Sequence, residues 1–526
     1  MRKIKFNLFD KIKHAKADSL YIKNSKTGQI ENTRHVHYSD NVNYLQNYAV
    51  KEGQSNGFAQ STNNILGSGI VNTIVREAIG NKLNVESAVD EQFFAGKVDT
   101  ETIKNAKNQI ESFFDFWQND PKFCDYKRND TLGKLEQLMC RMAVAQGEFF
   151  VIIRIISVKG LYFPQIELVS PLLCSSPNNI DTENIVSGIK FDEQGREISY
   201  FFKVVKNNEP NSYEWKEYPK YSRSGRVQVI HAKFGEVHPN QARGRSALTA
   251  STETLVQTER FHDANLSKAV NQAGMYWSIE KDVSTIEDGS ESTFDNIKNS
   301  ITGGQNPNLN AYPMEQEPTI EMKPGIVVEM KPGEKIHSIE STAPTSTTKD
   351  FMRVMGDMLA SDTGVPAEKL FKRFESSYSA SQASMQEAHY NAVYWKNEIC
   401  STALNEIYSQ FVWCLVVQDL VKLPYFLDNE FARKAWCKVQ WYGQALVHID
   451  PVKAVNASVL RIQNGLSTRE IESRNLTGMN WDTLVPRLKE EEEKIKAYGI
   501  HVTSDTTSEN NDSEVENEES ENNANE

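Results

Sequence analysis

The sequence predicts an α+β fold: helices first, a mostly antiparallel sheet after them, then long helices and a helical C-terminal bundle. Three observations carry this. Apolar residues recur at steps of three and four between Ile65 and Gln146, the spacing of a single helix face. After Gly147 the period changes, because EFFVIIRIISV (148–158) is a β-branched run suited to a strand buried on both faces. Helical spacing returns beyond Ser246, and the last quarter of the chain carries the best helix-cap signals.

Residues 1–60 are polar and rich in Asn and Lys, an extended basic arm with one short helix near 41–50. In VNTIVREAIG, Ile74 and Ile79 follow Ile70 along one stripe. Glu101–Gln118 is amphipathic through Ile103, Ala106, Ile110, Phe113 and Trp117. The next helix, Thr131–Gln146, takes Asn129 or Asp130 as cap and turns Leu132, Leu135, Leu138/Met139 and Met142 inward, and Gly147 ends it. Short strands continue through IELVSP, SGIKFDEQGREISYFFKVV and RVQVIHAKF, with DEQGRE as a hairpin turn. Ser246–Ala273 is a polar helix with Ser246 as N-cap and Gly274 past its end. Residues 275–339 mix short strands and turns and repeat MKPG at Met322–Gly325 and Met330–Gly333. Thr348–Thr363 is helical with Phe351, Met355 and Met358/Leu359 inward, stopped by Gly364 and Pro366. The longest helix, Ala380–Leu420, carries Trp395, Ile399, Ile407, Phe411 and Val417. Asp450-Pro451 with Gly465 frames one C-terminal helix. Ser467-Thr-Arg-Glu470 reads as a capping box for the next, and Asn480 caps a third.

A chain of 526 residues allows two or three domains. No stretch reaches the roughly 20 apolar residues that span a bilayer, and the N-terminus lacks the apolar core of a signal peptide. The six cysteines are scattered, with no CxxC and no histidine at metal spacing, and read as reduced buried thiols. The net charge is −13, but nine acids and no base lie in residues 503–526, so the body stands near −4. That tail has too few apolar residues to fold alone. A protein gripping DNA through counterion release needs a basic body, so tight DNA affinity is disfavoured.

No phosphate loop, GxGxxG after a strand, GxSxG elbow or HExxH occurs. His35 and His37 alternate on one side of an extended segment but have no third ligand nearby, which favours a surface role. His231 ends a strand seven residues before His238, as a base or as a histidine holding a loop by hydrogen bonds. Arg243 and Arg245 flank Gly244 just before a helix. They can meet a phosphate at the helix N-terminus or tie the helix entrance to the carboxylates of a neighbour. Lys369, Lys372 and Arg373 stand beside Phe371, Phe374 and Tyr378 in KLFKRFESSYSAS, a mixture that suits a nucleic-acid backbone.

The order of these pieces resembles the lambda-type family of tailed-phage portal proteins. The matching stretches are VIHAKFGEVHPNQARGRSALTA (229–250), VVEMKPGEKI (327–336), GVPAEKL with SSYSASQAS (364–384) and HIDPVKAVNASVLRIQNGLSTREIESRNLTGMNWDTL (448–484). AQGEFFVIIRI (145–155) and SGIKFDEQGREISYFF (187–202) agree as well, and together they run over about Ile65–Gly499. The chain departs from the family pattern at His238 and Gln382, where the family has arginine. The resemblance implies a portal fold: arm 1–60, α+β wing 61–245, first stem helix 246–274, small α/β clip 275–345 and second stem helix 346–364. After these come tunnel loop 365–382, long spine helix 383–430, helical crown 431–502 and acidic tail 503–526.

It further implies a ring of about twelve subunits at a capsid vertex, passing double-stranded DNA without sequence specificity. The implied partners are the terminase large subunit, the major capsid or scaffold protein and a head-completion or tail adaptor. The implied location is the virion, with assembly in the bacterial cytoplasm. No cofactor, metal, membrane or catalytic role is expected. Lys369, Lys372, Arg373 and Tyr378 would face the channel, and Arg243 and Arg245 would serve the subunit interface or the stem entrance. Two other classes compete: a head-completion or baseplate subunit, distinguished by ring stoichiometry, and a capsid-associated hydrolase, which needs a convergent His/Asp/Glu cluster.

Overall fold

The computed structural model describes residues 21–23, 30–32, 42–182, 184–205, 213–236, 239, 241–273, 277–281, 334–338, 346–374, 377–443, 445, 450–479 and 481–498. These fall into two units, Glu253–Met355 and the remainder. His35, His37, His238, the MKPG repeat, Gly274, Asn480 and the acidic tail lie outside the described residues.

In the larger unit, β1 (Tyr21–Lys23) and β2 (Ile30–Asn32) pair antiparallel. The short helix expected near 41–50 is a 22-residue helix, α1 (Val42–Asn63). Among its residues from 51 onward, the buried ones are Gly53, Gln54, Gly57 and Ser61, which leave no apolar period to detect. Asn64 then caps α2 (Ile65–Ala78), its Oδ1 accepting the Leu66 and Gly67 N–H groups at 3.0 Å. Ile70, Ile74 and Ile79 are buried as expected.

Strand β3 (Asn84–Ser87) and the short helix α3 (Glu91–Phe94) lead to α4 (Thr100–Asn119). Its inner face holds Ile103, Ala106, Ile110 and Trp117 as expected, but Phe114 rather than Phe113 completes it. One turn, α5 (Pro121–Cys124), precedes α6 (Leu132–Gln146). The N-cap of α6 is Thr131, not Asn129 or Asp130, because Asp125 already gathers the Lys127, Asn129 and Asp130 N–H groups into a turn of its own. Gly147 ends the helix at φ 77°, the left-handed conformation that glycine adopts without strain.

Strand β4 (Glu148–Val158) is the centre of an antiparallel three-stranded sheet between β5 (Leu161–Val169) and β10 (Val229–Lys233). Its first six residues are buried. A second sheet follows chain order through β6 (Ile185–Val186), β7 (Ile189–Phe191), β8 (Glu197–Val205) and β9 (Tyr213–Pro219). The expected hairpin joins β7 to β8 through Gly195. Phe150, Ile152 and Val229 of the first sheet share a core with Ile189, Tyr200 and Phe202 of the second.

The helix expected from Ser246 starts later, as α7 (Thr252–Ala273). Ser246 caps a turn instead, its Oγ accepting the Leu248 N–H at 3.1 Å. Strands β11 (Trp277–Lys281) and β12 (Glu334–Ser338) pair antiparallel. Within the smaller unit, Phe261 of α7 meets Phe351 of α8 (Ser346–Thr363) with ring centroids 4.2 Å apart.

Helix α9 (Ala367–Phe371) precedes the long helix. That helix runs as α10 (Tyr378–Ile399), a π turn (Cys400–Leu404) and α11 (Asn405–Val417). Trp395, Ile399, Ile407 and Phe411 are buried in it, whereas Val417 stands at its exposed end. Phe411 and Tyr408 close an aromatic cluster with Phe114, Trp117, Phe163 and Trp441. Helix α12 (Glu430–Trp436) leads to β13 (Val439–Tyr442), which pairs with β3. Three helices end the described chain: α13 (Pro451–Gln463), α14 (Arg469–Thr477) and α15 (Trp481–Ala497). Asp450 caps α13 as expected, but Thr468 rather than Ser467 caps α14.

Glu136, on α6, is fully buried; its Oε2 accepts the Leu83 N–H at 2.9 Å and its Oε1 has no hydrogen-bond partner among the described residues. Burial pushes its carboxyl up to about 8 against that hydrogen bond. A raised folded value means that its favourable contribution is complete below the unfolded value near 4.5 and is lost as pH rises towards 8. Glu136→Gln keeps an acceptor for Leu83. It should be more stable than the parent by roughly 1–3 kcal/mol at pH 8.5 and about equal at pH 4.5, as urea titrations at both pH values would read.

Candidate functional site

The ARGR segment (242–245) crosses the end of α6 at very close range. A side chain on Gly147 would overlap the backbone of Arg245, and one on Gly244 would overlap the Gly147 carbonyl. This crossing places Arg243 over Glu148, the first residue of β4, and both are buried.

Four of the five guanidinium N–H groups of Arg243 donate hydrogen bonds, and Nη2 also lies against the Glu148 carboxylate. Nε donates to Glu148 Oε1 at 2.6 Å, and Nη2 lies 2.5 Å from the same oxygen and donates to Pro171 O at 2.8 Å. Nη1 donates to Cys174 O at 3.1 Å and Ser187 O at 2.7 Å. A planar fork with five donors is what this set of acceptors requires. Arg243 is 1% exposed and enclosed by these acceptors, so a phosphate has no access to it, and its carboxylate partner comes from its own chain. Arg245 is half-buried and is held by its own N–H, donated to Phe234 O at 2.9 Å.

The other Glu148 oxygen accepts the Gly244 N–H at 2.7 Å and meets His231 Nε2 at 3.0 Å. His231 Nδ1 in turn lies 3.1 Å from Glu197 Oε1. Ionised carboxylates only accept, so both ring nitrogens carry protons and His231 is an imidazolium bridging two glutamates. Its ring stacks on Phe150, 4.4 Å away at 10°. Burial opposes this charge, but the two carboxylates raise the His231 pKa above its ordinary value. Burial likewise opposes ionisation of Glu148, yet Arg243 and His231 hold it down to about 2. Glu197 is lowered too: burial is overcome by His231, Lys220 and Lys233.

This cluster is the histidine-and-carboxylate arrangement that a hydrolase would need, but its chemistry is already spent. The His231 and Glu148 side chains have no exposure. A groove of about 540 Å³ beside the two sheets is lined by Leu135, Met142, Ile152, Val169, Phe202 and Tyr218, among others, and touches none of the four network residues. Among the described residues, no group of His, Cys, Asp and Glu could hold a metal ion. The four residues pin β4, β8, β10 and the 243–245 crossing together. Glu148 and Glu197 escaped sequence reasoning. The signal for Glu148 was a lone acid opening a strand whose next five residues are apolar.

The basic and aromatic residues of 369–378 are separated by the structure. Lys369 is paired with Glu77 of α2 at 2.8 Å, with side chains 16% and 21% exposed. Lys372, Arg373 and Phe374 are exposed. Tyr378 opens α10, half-exposed, with Lys453 Nζ 5.7 Å from its ring centre. Neither Lys372 nor Arg373 has a carboxylate partner among the described residues.

A family model described as "Phage portal protein, lambda family" matches residues 38–396, more than half of the chain. The chain belongs to the lambda family of phage portal proteins. Two relatives in that family are the portal protein of Escherichia phage N15 and portal protein B of Escherichia phage lambda. The first is 26% identical over 323 residues, 59% of this chain and 59% of the N15 protein. The second is 24% identical over 370 residues, 68% of each chain. The N15 alignment thus spans less than two thirds of that portal protein. Among solved structures, a chain in the virion of a native gene transfer agent particle is similar with a TM-score of 0.42 and 11% identity. That match covers 82% of this chain and 93% of the other.

Proposed function

We propose that copies of this chain close into a ring of about twelve subunits at one capsid vertex, through which double-stranded DNA is packaged and ejected. The chain acts as a conduit rather than a catalyst. A separate terminase supplies the packaging energy, and an adaptor docks once the head is filled. Membership of the portal family supports this reading. The observation that carries it to residues is the exposed pair Lys372–Arg373, on a short link between two helices and without acidic partners among the described residues.

In this reading, the α+β part before residue 246 is the wing. Residues 246–274 and 346–364 are the stem, 275–345 the clip, 365–382 the tunnel loop, 383–430 the spine and 431–502 the crown. Arg245 then stands at the stem entrance. Two exposed cations per subunit on a body near −4 suit weak contacts, which DNA must break at every step.

Mass photometry with negative-stain imaging tests the ring: closed rings with a central hole are expected, and a stable monomer at all salt concentrations would overturn it. Lys372→Ala/Arg373→Ala should leave ring assembly intact and cut DNA packaged per procapsid several-fold. The salt slope of DNA binding by the ring should flatten by about 0.9 for each phosphate that is no longer neutralised.

A further inference from the structure

We infer that Glu77, acting through Lys369, is a positioning residue for the Lys372–Arg373 pair: it clamps α9 into a fixed base from which the two cations project. This rests on the reading of 365–382 as the DNA-facing loop.

Three consecutive side chains of α9 are docked on two other helices. Lys369 Nζ meets Glu77 Oε1 of α2 at 2.8 Å. Leu370 lies over Gly69 of α2, where an added Cβ would stand 3.3 Å from Leu370 Cδ1. Phe371 lies over Gly356 of α8 so closely that a methyl there would overlap its ring. The backbone is fixed just as tightly. Pro366 O accepts the Lys369 and Leu370 N–H groups, both at 3.0 Å. Glu368 O accepts from both Lys372 and Arg373, and Lys372 turns the chain outward at φ 53°. The far end of the link is held by Ser377, whose Oγ accepts the Ala380 N–H at 3.4 Å as the cap of α10.

A five-residue helix has no stability of its own, so its order comes from these contacts. The Lys369–Glu77 pair is the only polar one among the three side-chain contacts. With both groups mostly covered, it is screened less than a surface pair. Lys369 carries the same charge as Lys372 and Arg373 but is committed to α2. Losing the pair would let α9 loosen, and the two exposed cations would then meet a phosphate from a wider range of poses, which weakens binding without removing any contact group.

The test compares Lys369→Met, Glu77→Gln and the charge swap Glu77→Lys/Lys369→Glu in assembled rings. Two readouts are taken: DNA packaged per procapsid, and the line shape of a nitroxide on Arg373→Cys. Positioning predicts a several-fold loss of packaging and a mobile label in both single variants, with both readouts restored by the swap. If Lys369 were itself a phosphate contact, the swap would stay defective and Glu77→Gln, which frees Lys369, would package at least as well as the parent. Either result overturns the inference, as does a label equally restricted in all variants. Failure of the underlying loop reading looks different: Lys372→Ala/Arg373→Ala would then package normally, while the label would still respond to Glu77→Gln. The neutral pair Glu77→Gln/Lys369→Met is kept in reserve should the swap not assemble. It should be no worse than either single change.

Discussion

Arg243→Met is expected to be among the most damaging single substitutions in this chain, costing about 4 kcal/mol or more, because it removes one partner of a buried ion pair. Methionine fills much of the space but donates nothing. Glu148 would keep only the Gly244 N–H and His231, and the carbonyls of Pro171, Cys174 and Ser187 would each lose the donor that Arg243 supplies. Pro171 O would keep the Cys174 N–H and Ser187 O the weak Cys174 thiol, so the loss is sharpest at Cys174 O, where an unmet buried acceptor costs on the order of 1–3 kcal/mol. Lysine should not rescue, since three donors on one nitrogen cannot reach acceptors that a planar fork reaches from three sides. Arg245→Met, two residues away and half-buried, should change stability by less than about 1 kcal/mol. Soluble yield and urea midpoints of the two variants decide the matter: equal loss in both would mean that the pairing geometry has been misjudged.

The second large effect concerns His231. Its folded pKa is raised, so its contribution is fully present below the unfolded value of about 6.5 and is lost as pH climbs through the folded value. Glu148, at about 2, and Glu197 are depressed. Their contributions are present above about 4.5 and are lost as pH falls through their folded values. The groups facing the imidazolium are Glu148 on β4, Glu197 on β8 and Arg243 beyond the Glu148 carboxylate. Lys220, Lys233 and the Tyr200 hydroxyl surround Glu197. Stability should therefore be highest between about pH 4.5 and 6.5 and decline on both sides. Because Glu136 adds its own alkaline loss, the comparison belongs in the Glu136→Gln background. There, His231→Gln should cost roughly 2–4 kcal/mol at pH 6 and flatten the alkaline limb. A limb of unchanged steepness would mean that His231 is neutral in the fold.

Local order was readable wherever one stretch of chain decides it. Gly147 follows a helical period and precedes an apolar run, and it ends α6 with a left-handed turn. Asp450-Pro451 opens α13 by the hydrogen bond the pair promised. The misreadings have physical reasons. Helix α1 hides because glycine and polar side chains form its buried face beyond residue 50, where close backbone approach replaces apolar packing. Ser246 looked like the cap of a long helix because a cap and a turn use the same hydrogen bond. The segment ARGR attracted attention through its arginines, but what Arg243 does is set by Glu148, 95 residues earlier. Lys369 read as one of three equivalent cations, and only Glu77, 292 residues away, distinguishes it. Such partners leave no trace in local spacing.

The crossing of Gly147 and Gly244 has a consequence for how the chain is made. The carboxylate of Glu148 gains its last hydrogen bonds only when residues 243–245 close over it. A growing polypeptide emerges from the ribosome in order, so for nearly a hundred residues of synthesis β4 must exist without its covering cation. Pairings this distant in sequence form late and slowly, and an unfinished sheet edge invites association with other nascent chains. The two sheets that Glu148, Glu197 and His231 join therefore cannot take their finished form before Arg243 has been translated.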